Sequence, residues 1–78
     1  MVRLKRVRMN NGISVTDLAT AAGVSNQAVY SWESDNIRLR RRPRVQNIKA
    51  VADYLRRVNA IPVDYSASLL FEDEDARP

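Results

Sequence analysis

The sequence predicts an all-α fold of four to five helices, on three observations. Apolar residues recur every three or four positions, which is the spacing of one helix face rather than of a strand. Two serine-led segments, beginning at Ser14 and Ser25, stand back to back with Gly23 between them and read as two short helices joined by a turn. The length, 78 residues, leaves one small domain near the lower limit of unassisted folding, so the chain must be compact and largely helical or draw stability from a partner.

The first element places Leu4 and Val7 on one face, with Arg3, Lys5, Arg6 and Arg8 around the rest, and Asn10, Asn11 and Gly12 stop it. Ser14 and Asp17 then stand at capping-box spacing, with Asp in place of the usual Glu or Gln. Ile13 and Leu18 are the two halves of a hydrophobic staple around that cap, so a helix is expected from about Val15 to Ala22. Gly23 ends it, because glycine takes the left-handed conformation without a steric cost. The grammar repeats at once: Ser25 caps a second helix, and Val24 with Val29 forms the second staple. Helices joined by so short a turn must cross steeply, as in a helix-turn-helix. Ala19 supplies the small residue at the crossing, and Leu18, Ala22, Val24, Val29 and Trp32 supply the core. Beyond Pro43 a longer helix is marked by Val45, Ile48, Val51, Ala52, Leu55 and Val58, with Asp53 and Arg57 as a surface pair. Asn59 to Pro62 breaks it, and Asp64 is expected to cap a further turn or two from Tyr65 to Phe71.

Composition bounds the chemistry. The chain has neither cysteine nor histidine, which removes disulfides, Cys/His zinc sites and Cys- or His-based nucleophilic catalysis. No metal, cofactor or small-molecule ligand is expected, and so short a scaffold makes an enzyme a poor reading. Lys plus Arg number 13 against 9 Asp plus Glu, a net of +4, but the signs are segregated. Residues 1–60 hold 12 basic and 4 acidic side chains, net +8, whereas residues 61–78 hold one basic and five acidic, net −4. A basic body with an acidic tail points to a polyanion, nucleic acid before membrane. Neither a signal peptide nor a membrane span is readable, and a cytoplasmic location is expected.

Residues 12–33 read GISVTDLATAAGVSNQAVYSWE. In its glycines, small residue, staples and closing Trp-Glu this stretch resembles the Xre/Cro-type helix-turn-helix family, the DNA-binding domains of lambdoid phage repressors and Cro proteins. The likeness runs over roughly residues 3–58 and implies a lambda-repressor-like domain over 1–60, with 61–78 as a C-terminal extension. It implies that the helix after Ser25 is a recognition helix whose first turns face base edges in the major groove. Asn26 and Gln27 would contact bases there, their amides suiting adenine N6 and N7, with Tyr30 and Ser31 one turn later. It also implies a structural ion pair between Arg8 and Glu33. Val15 departs from the pattern, since relatives often carry Gln there to hold a phosphate.

Five arginines, Arg38, Arg40, Arg41, Arg42 and Arg44, fall within seven residues. Arg42-Pro43-Arg44 resembles the basic loop that several phage repressors lay along the DNA backbone, although this loop is longer and richer in arginine. These five, with Ser25, are the expected phosphate contacts; neutralisation of phosphates by about six side chains would give a salt slope of roughly −5.

Tyr65, Leu69, Leu70 and Phe71 are too apolar for a free end. They either cover the chain's own core or pack against a second copy, and a homodimer contact is the favoured expectation; the acidic run after them is either a solvated end or repels DNA from that face. The function expected is a transcriptional regulator binding a palindromic double-stranded operator, a phage-type repressor acting by occlusion. The alternative is an antitoxin-like interaction module whose tail binds another protein.

Overall fold

The computed structural model describes residues 1–74. Four α-helices, α1 (Arg3–Asn10), α2 (Val15–Ala22), α3 (Asn26–Trp32) and α4 (Val45–Arg57), are followed by a 3-10 turn, Ala67–Phe71. No strand occurs among the described residues; one isolated antiparallel bridge joins Val2 to Asp73.

Local chemistry sets most helix ends. The Ser14 hydroxyl accepts the Asp17 N–H at 3.0 Å, and the Ser25 hydroxyl accepts the Ala28 N–H at 3.2 Å, so α2 and α3 each begin on a serine cap. Three helices stop in the same way. Gly12, Gly23 and Asn59 have φ of 65°, 71° and 62°. Just beyond each, an N–H reaches back to close a Schellman motif: Ile13 to the Arg8 carbonyl at 3.0 Å, Val24 to Ala19 at 3.0 Å, Ala60 to Leu55 at 2.8 Å. Asn tolerates the left-handed region better than other side chains, which is why a non-glycine serves at residue 59.

The core is a single cluster. Leu4, Leu18, Val29, Val51, Ala52, Leu55 and Leu70 are fully buried. α2 packs against both α3 and α4, and the 3-10 turn packs against α1 and α4. Trp32 at the end of α3 meets Phe71 edge-on, with ring centroids 6.1 Å apart and planes at 86°. Leu70 and Phe71 therefore cover the chain's own core, the other of the two roles expected of this segment, rather than standing as a free apolar surface. Leu70 is fully buried and Phe71 is buried against Trp32, whereas Tyr65 is half-buried and Leu69 stays exposed.

Several other expectations change. The last element starts at Ala67, preceded by Ser66, and Asp64 does not cap it; instead the Tyr65 N–H bonds to the Pro62 carbonyl at 3.1 Å, a tight turn. Val45 and Val58 lie off the buried stripe of α4, exposed at its two ends. Asp53 pairs with Arg56 at 3.5 Å rather than with Arg57, whose guanidinium instead lies 6.0 Å from the Tyr54 ring centroid.

Within the described residues the acidic run, 72–74, is tied back to the domain. The Arg3 N–H, one of the donors that the start of α1 leaves without a helical partner, bonds to the Glu72 carbonyl at 2.9 Å. Arg3 and Arg6 both pair with the Glu74 carboxylate, the former at 3.4 Å, and Asp73 pairs with Arg40 at 3.0 Å. Asp75 lies outside the described residues.

Candidate nucleic-acid interface

α3 is held at both ends by polar contacts with other elements. At its start the Asn26 side-chain N–H donates to the Thr16 hydroxyl at 3.0 Å, tying it to the first turn of α2. At its end Glu33 is 4% exposed, and its carboxylate receives two parallel bonds from Arg8 of α1, Nε to Oε2 and Nη2 to Oε1, both at 2.9 Å. Arg8 Nη1 also donates to the Ile13 carbonyl at 3.1 Å, so one guanidinium fastens α1, the turn before α2 and the end of α3.

What α3 leaves outward is polar and partly aromatic. Asn26, Gln27 and Tyr30 are exposed, Tyr30 at 56%. Asn26 retains its carbonyl oxygen and its second amide proton, which together are what a bidentate contact with adenine requires. Ser31 is half-buried, and its hydroxyl donates to the Ala28 carbonyl at 2.9 Å, so its proton is committed within its own helix. Ser25 keeps a hydroxyl proton while accepting the Ala28 N–H. Val15 is buried at the start of α2, and its side chain belongs to the core rather than to a phosphate.

The arginine loop is a formed structure. The Asn36 carboxamide oxygen accepts the Arg38 N–H at 3.0 Å, and the Asn36 carbonyl accepts the Leu39 and Arg40 N–H groups at 2.9 and 3.0 Å. The Arg41 N–H donates to the Ser31 carbonyl at 3.1 Å, which stitches the loop to the last turn of α3. Pro43 is buried, and Arg44 precedes α4 as its extended N-cap residue.

Arg40 corrects the expectation of five phosphate-binding arginines. Its side chain turns inward, 15% exposed, with Nε donating to the Ser34 carbonyl at 2.7 Å and Nη1 to Asp73 at 3.0 Å. Asp73 is held below the ordinary carboxylate range chiefly by that hydrogen bond from Arg40, against an opposing effect of desolvation. Arg40 is thus an anchor, and Arg38, Arg41, Arg42 and Arg44 are the exposed guanidiniums.

Two open grooves run along α3. One, of about 510 Å³, is walled by Gln27, Tyr30 and Ser31 on the helix and by Arg38, Leu39 and Arg41 on the loop. The other, of about 560 Å³, passes Ser25 and Gln27 toward Arg42, Arg44 and Asn47. Gln27 borders both. Asn47, on the first turn of α4, joins the site only through the fold: a lone Asn near a helix start carries no signal until packing brings it to the groove of Ser25 and Gln27. Leu39 was likewise hidden among arginines.

The arrangement offers amide donors and acceptors on a short helix between flexible cations, which fits base edges in the middle and phosphates at the margins. Among the described residues no three His, Cys, Asp or Glu side chains gather as a metal site would require. No helix among them is long and apolar enough to cross a membrane.

Comparison with known proteins agrees with this geometry at the level of family. No curated protein and no solved structure matches the chain significantly. A family model described as Helix-turn-helix, of the Cro/C1 type, matches residues 4–60, which takes in α1 from its second residue, the other three α-helices and the arginine loop. The chain belongs to this helix-turn-helix family, a family of DNA-binding regulators rather than of enzymes.

Proposed function

We propose that the chain is a sequence-specific repressor that binds duplex DNA through α3 and the arginine loop and acts by occluding a promoter. The observation that carries this reading is the exposed start of α3, where Asn26 is followed by Gln27, which borders two grooves rimmed by Arg38, Arg41, Arg42 and Arg44. In this reading Asn26, Gln27 and Tyr30 meet bases, and Ser25 and the four outward arginines meet phosphates. Two copies occupy a palindromic operator with half-sites about 34 Å apart.

Selection of bound sites from random duplex DNA tests the reading. A palindromic consensus is the expected result, and recovery of no enriched sequence would sink sequence-specific repression. An antitoxin-like role for the tail is disfavoured, because residues 72–74 are tied to α1 and to Arg40 rather than left for another protein.

A further inference from the structure

We propose that Leu39 is a specificity-determining residue that reads the 5-methyl group of thymine, alongside the amides of α3. The inference rests on the DNA-binding reading above and adds a reader from outside the recognition helix.

Leu39 is 65% exposed, and so is its near neighbour Ile37, at 70%. The two do not face the same place. Ile37 borders a cleft of about 260 Å³ with Trp32, Pro43 and Phe71, whereas Leu39 borders the groove that Gln27 and Tyr30 wall from the other side. The loop is also not free to fold Leu39 away. Its own N–H is bonded to Asn36, and the next residue, Arg40, is anchored inward on Ser34 and Asp73. With Arg40 pinned, the leucine is displayed on the rim of the groove.

The charges around it say what it meets. Arg38 and Arg41 line the same groove, which favours an anionic partner, and one leucine beside one tyrosine is too small an apolar surface for a protein or lipid partner. Of the atoms that base pairs present in the major groove, the thymine methyl is the apolar one. A leucine beside the base-facing turn of α3, held between phosphate-binding cations, is chemically matched to that methyl, the apolar group on a base edge that varies with sequence.

The test uses the full chain and the duplex recovered by selection, resynthesised with deoxyuridine replacing thymidine one position at a time. Loss of the methyl at the position Leu39 reads should weaken binding about fourfold, the equilibrium factor for one methyl-sized group leaving water. Leu39→Ala should weaken binding to the thymidine duplex by a similar factor and no longer distinguish deoxyuridine there. Ile37→Ala, in the same loop but on the other cleft, should keep the discrimination. The proposal is overturned if the wild-type protein is indifferent to deoxyuridine at every position, a result that needs no variant to fold. It is also overturned if Leu39→Ala discriminates as the wild type does, or if it loses affinity equally for both duplexes at every position. In each of those cases specific binding survives, so the wider reading stands; failure to recover any duplex removes both.

Discussion

At the residue scale the molecule separates charges that sequence treats alike. Arg40 and Arg41 are adjacent, yet one is an internal anchor and the other is exposed beside α3. Arg41→Ala should therefore weaken binding to operator and random duplex about equally, whereas Gln27→Ala should cost about 1–3 kcal/mol on the operator and little on random DNA. Titration binding with both duplexes separates the two. Glu33 is the most buried charge among the described residues, and Glu33→Ala leaves the Arg8 guanidinium without its carboxylate. The expected cost is about 3–5 kcal/mol in denaturant unfolding, the range for breaking one side of a buried pair. A loss under about 1 kcal/mol would mean that water replaces the carboxylate at Arg8. The Asp73 carboxylate is held below its ordinary range, so it stabilises the fold above about pH 4, and that contribution disappears as pH falls through its lowered folded value. The stability difference between wild type and Asp73→Asn should accordingly be present at neutral pH and shrink in acid; a difference that grew on acidification would contradict the pairing with Arg40.

At the scale of elements, each short helix is held by its ends as much as by its face. α3 has only seven residues, too few to persist alone in water, and it stays helical because a serine cap begins it and Trp32 and Glu33 lock its exit. The turn before it depends on Gly23. A Cβ built there meets nothing within 4 Å, so the cost of substitution is conformational rather than steric. Gly23→Ala should lower stability by about 1–2 kcal/mol, and Gly23→Asn by less, because Asn accepts the left-handed region more readily. Thermal unfolding of the pair checks the order; equal losses would point to a packing role instead. The arginine loop belongs to the same logic, since Asn36 and the bond from Arg41 to Ser31 give it a fixed path rather than a solvated one.

For the whole molecule, the meaning of the acidic tail changes. It closes the domain by capping α1 and pairing with Arg3, Arg6 and Arg40, and so it reduces the cations free to meet DNA. With Arg40 withdrawn, four loop arginines remain, and the logarithm of the binding constant should fall with the logarithm of salt at a slope of about −4 per domain rather than −5. Restoration of the steeper slope in Asp73→Asn would show that the tail holds Arg40 away from the phosphates. The extension also supplies core: Leu70 is fully buried, and Leu70→Ala should cost about 2–5 kcal/mol, measurable by denaturant unfolding.

The sequence by itself determined the elements and the turn between α2 and α3, because serine caps, staples and left-handed glycines act over four or five residues and are written contiguously. Ser14, Gly23 and Ser25 say where helices begin and end whatever lies elsewhere, and the stretch from Gly12 to Glu33 was enough to place the family. Tertiary structure alone decided the partners of residues distant along the chain. Nothing local distinguishes Arg40 from Arg41, Leu70 from Leu69, or a solvated acidic tail from one folded back on α1. Those choices depend on which side chains become neighbours once the helices pack, and side chains separated by 33 residues, as Arg40 and Asp73 are, come within 3.0 Å only through the shape of the whole core.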